Sequence, residues 1–559
     1  MTKNRMLRVV LFISLFYLFL SSGNFFSIST LATADDYLQF QQATSLTKGE
    51  WLGNYNFLTL SKGISYPAWI AFLHSADIPL WLGNALLYMV ACLAIIYVLR
   101  RVIPNRLILI FIYTFILFNP IVIPRTYRDV IAPAVGLFLI AWAIGIFLLH
   151  VSKDLEKGKS IKEWTLLTII GTIFLPVWVF LREDYIWLIP FISIPLGSSL
   201  ILLAYRACKS KQSIRVLLVS SLSIFLPIMT VYMAGVGIAH LNKQHYGRAV
   251  INDFVSDDFE GAYGALSRVI GDDYNNKPLT VPVSESSRQK IYAVSPAFRE
   301  LHDCIDSVNG SSACEALKKY GDISIHDYEG GWFVWALRVA VQEKGYYKNA
   351  STARDYYVRL SSEINQACED GRLQCTPKRS TLAPVFSKRY IEPTVGDTLK
   401  TLLFVIRLDF PGAGTFKAWS ASTPVQDEMA HYLNARYSSQ DLNMGVRAKH
   451  KAQKVIYKTY RALNSILFAV SIAILALATM MIKRFKKYWR EIFITWCLLF
   501  AICFRVAMIA YVDTTSFKAI SNNYLSSVYP IMLLFEAVVL GVAGTFLYRR
   551  EKRKLSISE

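Results

Sequence analysis

In this 559-residue chain 54% of residues are apolar and 14% aromatic, and the mean hydropathy is +0.35, a composition that agrees with a membrane protein. The net charge of +20 at first suits a nucleic acid, but much of the Lys and Arg lies in short stretches between apolar runs. That distribution is the one that orients membrane proteins, and it removes nucleic acid from the expected partners.

Ten spans are expected in chain order, at 9–31, 79–99, 107–124, 130–150, 164–181, 185–205, 216–239, 461–482, 491–512 and 525–547. Lys3, Arg5 and Arg8 precede the first; Arg100, Arg101 and Arg106 follow the second; Lys153, Lys157, Lys159 and Lys162 follow the fourth. Arg206, Lys209, Lys211 and Arg215 follow the sixth, Lys483 to Arg490 holds five cations after the eighth, and Arg549 to Lys554 closes the chain. Threaded alternately, all these clusters fall on one side, so both termini are expected in the cytoplasm. Ala32-Thr33-Ala34 is similar to a signal-peptidase site, but the apolar run before it exceeds a usual signal core, and an uncleaved first helix is expected.

The outward side then receives 32–78, 125–129, 182–184, 240–460 and 513–524. The chain divides into a membrane module at 1–239, an extracytoplasmic domain at 240–460 and a second membrane module at 461–559 with a basic tail. Within the domain Cys304 pairs by proximity with Cys314, and Cys368 with Cys375, as local disulfides in an oxidising compartment. A four-thiol zinc site is the competing reading, disfavoured by the lack of any Cys-x-x-Cys. Helical spacing runs from Trp332 to Val341, and Ser351 is placed to cap a helix reaching Cys368. Segments 271–284 and 376–396 read as loops, and Leu402 to Ile406 as a surface-lying apolar run.

Four places bring charge to the outward membrane surface. They are Asp35-Asp36 at the end of the first apolar run, the stretch from Trp51 through Lys62 to Tyr66-Pro67, Arg125-Thr126-Tyr127-Arg128-Asp129, and Arg182-Glu183-Asp184. Acids held at a membrane surface lose solvation, so a doublet there marks a chemical role. Arginine grips phosphate through a planar fork and keeps its charge when partly desolvated. A carboxylate that takes a proton from a hydroxyl, beside cations that neutralise a departing phosphate, fits a lipid-phosphate substrate. The plainer readings are solvated flanking acids, headgroup anchors for Arg125 and Arg128, and an ion pair closing the turn at Arg182.

Asp35-Asp36-Tyr37, Gly49-Glu50-Trp51-Leu52-Gly53 and Leu58-Thr59-Leu60-Ser61-Lys62-Gly63 together resemble the first outward loop of bacterial GT-C glycosyltransferases that use polyprenyl-phosphate sugars. The resemblance implies a GT-C-like α-helical polytopic fold with about ten transmembrane helices and a mainly helical extracytoplasmic domain. It also implies inverting transfer of a sugar from the lipid donor to an envelope glycan or lipid acceptor. Asp35 and Asp36 both match the base position, with Asp36 ranked first because it lies further past the apolar run. Lys62, Tyr66, Arg125, Arg128 and Arg182 are the expected phosphate and substrate contacts. Where many relatives have Arg-Tyr before the last span, this chain has Asn522-Asn523-Tyr524, so Tyr524 and the nearest outward cation, Lys518, complete the set. The domain lies between spans seven and eight, not at the C-terminus as in several members.

A flippase or transporter of a lipid-linked glycan, and an O-antigen ligase or polymerase, are the alternatives. Transporters place ionisable groups near the midplane, and here Arg505 and Glu536 are the exceptions in otherwise charge-free span centres. The expected setting is a bacterial inner membrane with a periplasmic domain, in contact with membrane lipid. No cofactor is expected, and a need for a divalent ion is left open.

Overall fold

The computed structural model describes residues 2–24, 26, 33–121, 127–152, 161–209, 214–306, 311, 313–315, 327–379, 381–382, 387–409, 424–436 and 443–558. Long charge-free runs with few helix breakers satisfy their backbone hydrogen bonds internally, and helices result. Among the described residues nine helices are long and apolar enough to cross a membrane: Lys3–Ser21, Leu80–Leu99, Ala132–Ser152, Ile161–Val179, Tyr185–Lys209, Leu217–Tyr246, Met444–Met480, Lys486–Thr515 and Val528–Leu547. Ala132–Ser152 is apolar all round and accordingly central, with 94% of its most apolar stretch buried.

The third expected span, 107–124, is corrected. Its helix is Arg106–Leu117, whose 12 residues cover roughly 18 Å, short of the roughly 30 Å of a bilayer core. The chain nevertheless changes ends here. Arg100 and Arg101 meet Glu163 at one end of the bundle, where Arg206 Nη1 also donates to His150 O at 2.6 Å. Arg128, beyond the short helix, meets Glu183 at the opposite end. Among the described residues, Phe118 to Ile121 continue from this helix without helical structure. Non-helical backbone at that depth requires protein or a cavity around it, and Leu117 to Ile121 line a cavity of about 150 Å³.

Other boundaries move as well. The first helix starts at Lys3 and ends at Ser21, ahead of the expected 31. Met444–Met480 begins well before 461, and Ile214–Tyr246 passes 239. Asn349, not Ser351, caps Ala350–Glu369, accepting from Thr352 N at 2.9 Å. The expected loop 376–396 already contains the start of Ile391–Ile406, which packs along Trp489–Thr515 with Thr401 and Val405 buried.

A second apolar core gathers helices Asp257–Ser267, Glu285–Val294, Gly330–Glu343 and Ala350–Glu369 around Phe259, Leu266, Phe298, Phe333, Leu337 and Leu360. Both local disulfides are formed, with Cα–Cα distances of 5.2 Å for Cys304–Cys314 and 5.8 Å for Cys368–Cys375. This helical unit is fastened to the first loop by Arg338, which is wholly buried. Its guanidinium donates to Phe57 O at 2.6 and 2.9 Å and to Asp253 Oδ1 at 2.7 Å, with the Phe259 ring 5.0 Å away.

Candidate functional site

Asp35 and Asp36 lie on a π-helical turn, Thr33–Tyr37, that runs into Leu38–Lys48. Successive residues of a helix point about 100° apart, so the two acids diverge. Asp36 is fully buried beside Tyr66, whose hydroxyl is raised by burial with the Asp36 charge adding to it. Asp35 keeps 27% of its side chain exposed and meets Lys62 Nζ at 3.3 Å. A ranking by distance along the chain favours Asp36; the geometry turns Asp35 towards the cations instead.

Lys62 reaches that position because the loop before it is pinned. Gln42 Nε2 donates to Thr59 O at 2.7 Å, Trp51 Nε1 to Asn242 Oδ1 at 2.8 Å and Tyr246 OH to Gly53 O at 2.9 Å. Gly63 then presses on the link after Ile161–Val179, and Ser65 N donates to Phe180 O at 3.1 Å. A Cβ on Gly63 would stand 2.1 Å from Phe180 O, a backbone atom that cannot rotate away. Gly63→Ala is expected to lower the melting temperature of the detergent-solubilised protein, with a cost of about 1–3 kcal/mol from the forced backbone shift. An unchanged melt would mean that Lys62 is not held through this contact.

The two arginine links meet Lys62 and Asp35 here. Arg128 Nη1 donates to Glu183 Oε1 at 2.7 Å, while its buried Nε has no hydrogen-bond partner among the described residues. Arg182 pairs with Asp129 and with Asp184, the latter at 2.7 Å, and its guanidinium lies 5.4 Å from the Tyr524 ring. Arg505 joins from the Trp489–Thr515 helix, 2.6 Å from Asp184 Oδ2 and 2.6 Å from Tyr524 O. Trp335 of the helical unit lies over Lys62 at 5.2 Å, covering the cluster from above.

Four cations, Lys62, Arg128, Arg182 and Arg505, thus face four carboxylates, Asp35, Asp129, Glu183 and Asp184. Their fields overlap. Burial alone would raise Glu183, but Arg128 and Lys62 outweigh it and hold the acid below its ordinary range. Burial likewise opposes Arg182 and Arg505 at Asp184, and the arginines prevail. Burial pushes the Tyr524 hydroxyl up to about 12, Asp35 adding to the effect and Arg182 and Arg128 opposing it. Asp129 also lines the 150 Å³ cavity, whose walls include Tyr17, Trp81, Tyr88 and Phe118. The charged cluster and the apolar cavity are contiguous.

Of the residues expected from sequence, Asp35, Lys62, Arg128, Arg182 and Tyr524 are brought together. Tyr66 stands apart beneath Asp36. Lys518 is 75% exposed and paired with Asp513 at 3.5 Å, and among the described residues none of its ion pairs is to the cluster. Arg125 lies outside the described residues. Trp335 was not expected, Tyr127, 5.1 Å from the Arg128 guanidinium, was named only within the Arg125–Asp129 stretch, and Arg505 was noted only as a charge inside a span. An arginine in a charge-free run needs a buried partner, which was the available signal. No protein-family model matches the chain, and neither a curated protein nor a solved structure matches it.

Proposed function

We propose that this chain is a membrane glycosyltransferase of the GT-C type, transferring a sugar from a polyprenyl-phosphate donor to an envelope glycan or lipid. Asp35 Oδ takes the proton of the acceptor hydroxyl as that oxygen attacks the anomeric carbon from the face opposite the phosphate. The bond from that carbon to the phosphate oxygen breaks, both electrons leave with the polyprenyl phosphate, and the anomeric configuration inverts. Arg128, Lys62 and Arg182 neutralise the leaving group. The cluster is already balanced, so a phosphate must take Arg128 from Glu183; the unpartnered Nε supplies a first foothold. The prenyl chain enters the neighbouring cavity, and the basic loops face the cytoplasm of a bacterial inner membrane.

One observation carries this reading: Asp35 and cations from three separate links meet in one buried cluster that opens on an apolar cavity. A transporter is the second reading, favoured by Glu536. That residue is fully buried, with neither carboxylate oxygen hydrogen-bonded among the described residues, and it lies in the same bundle as the short helix Arg106–Leu117. Purified protein in vesicles, supplied with labelled polyprenyl-phosphate sugars and glycan acceptors, separates the two. Glycosyl transfer predicts a new glycosidic bond; movement of label across the bilayer without one would replace the enzyme by the transporter.

A further inference from the structure

The helical unit holds a second charged cluster whose balance differs from the first. Lys277, Arg379 and Arg389 come together where this unit meets Ile391–Ile406 and the end of Trp489–Thr515. Lys277 Nζ and the Arg389 guanidinium lie 5.7 and 5.0 Å from the centre of one ring, Tyr274. Arg389 is also 4.9 Å from the Tyr390 ring and donates to that hydroxyl at 2.8 Å. Arg379 lies over Tyr263 at 5.3 Å.

Among the described residues the hydrogen bonds of these cations go to Pro282 O, Thr381 O, Leu382 O and the hydroxyls of Tyr263 and Tyr390, none to a carboxylate. Asp273 and Asp327 act on Lys277 from a distance. Both are engaged elsewhere: Asp273 accepts from Ser284 at 2.7 Å and from Ser286, and Asp327 pairs with Arg288 at 3.2 Å. Burial, opposed by Asp273 and reinforced by Arg389, lowers the Lys277 ammonium to about 8. Three cations held together with no carboxylate in direct contact among the described residues repel one another, and a ligand that brings the anion relieves that repulsion.

Tyrosines supply the rest of a binding surface. A tyrosine offers an apolar face and a hydroxyl, which match the C–H face and the hydroxyls of a pyranose ring. The place is also significant. Tyr390 packs edge-on to Tyr511 at 6.3 Å, and Tyr511 lies six residues, or about 9 Å of helix rise, beyond Arg505. The Phe517 ring lies tilted against that of Tyr524 at 5.6 Å, and Tyr524 lies against Arg182.

We propose that Lys277, Arg379 and Arg389 bind the carboxylate or phosphate of an acidic sugar whose ring lies against Tyr274 and Tyr390, so that the acceptor is an anionic glycan. The binding stands on this cluster alone; the acceptor role rests on the glycosyl-transfer reading.

The test measures binding by calorimetry on the full-length protein in detergent, with trigalacturonate, neutral maltotriose and inorganic phosphate as probes. Trigalacturonate is expected to bind, with maltotriose and inorganic phosphate each weaker by about tenfold or more. Arg389→Gln and Lys277→Gln are each expected to weaken trigalacturonate by about fivefold or more. Arg389 is exposed, so its variant leaves the fold intact; Arg379 is avoided because it holds Thr381 and Leu382 in place. Equal affinity for trigalacturonate and maltotriose, or equal affinity for trigalacturonate and phosphate, overturns a site for an acidic sugar. Wild-type affinity in both variants overturns its assignment to these residues. Trigalacturonate binding by a preparation that forms no glycosidic bond keeps the site and removes the transfer reading.

Discussion

Under the proposed glycosyl transfer, Asp35→Asn is expected to lower the rate of sugar transfer by about 10²–10⁴-fold, the contribution of a positioned general base. The substitution keeps the size of the side chain and removes only its ability to accept a proton as a carboxylate. Asp35 is the acid with an exposed edge, 3.3 Å from Lys62 and within the field that acts on Arg128, Tyr127 and Tyr524. Asp36→Asn is the matched control, because that acid is fully buried and its charge acts on Tyr66. Its effect should fall on stability, with transfer reduced by less than about tenfold. The measurement is initial-rate incorporation of labelled sugar at saturating acceptor. Full activity in Asp35→Asn, or a greater loss in Asp36→Asn, would take the base away from Asp35.

Arg182→Met is expected to destabilise the folded protein by about 3–5 kcal/mol, read as a lower midpoint of thermal unfolding in detergent. The side chain is nearly buried and pairs with Asp129 and Asp184, so its loss leaves the buried Asp129 carboxylate without that cation and Asp184 with Arg505 alone. The wild-type pairs also set a pH dependence. Asp184 lies below its ordinary range when folded, despite burial, because of Arg182 and Arg505. A depressed acid stabilises the fold fully above its unfolded value, near 4, and that contribution fades as pH falls towards the folded value. The wild type should therefore lose stability below about pH 4, and Arg182→Met should show a shallower acid limb. An unchanged midpoint in Arg182→Met would mean that the pairs are too solvated to matter.

The membrane character of the chain and most of its helices were legible because apolar runs of span length have few other solutions in water or lipid. Their ends were less legible. Met444–Met480 starts well ahead of its apolar part, since Lys449 and His450 find partners on the first helix's C-terminal turn, Ser22 Oγ and Gly23 O. The helix Arg106–Leu117 stops short because Asn119-Pro120 follows it, a signal that was present in the sequence and outweighed by the apolar residues around it.

For the site, position at the membrane edge was enough to pick out Asp35, Lys62, Arg128 and Arg182 separately. Which of them meet depends on the pleating of distant links, and sequence spacing carries no trace of that. The divergence of Asp35 from Asp36 follows from a π-turn that no propensity anticipates. Trp335 was read only as one position of a domain helix, because nothing local says that this helix hangs over Lys62.

The buried guanidinium of Arg338 has its acceptors in two different parts of the chain, Phe57 in the first loop and Asp253 at the root of the helical unit. That unit is consequently not a detachable cassette. Grafting another domain between the same two long helices would leave residues 54–62 without their keystone, and Lys62 would lose its register.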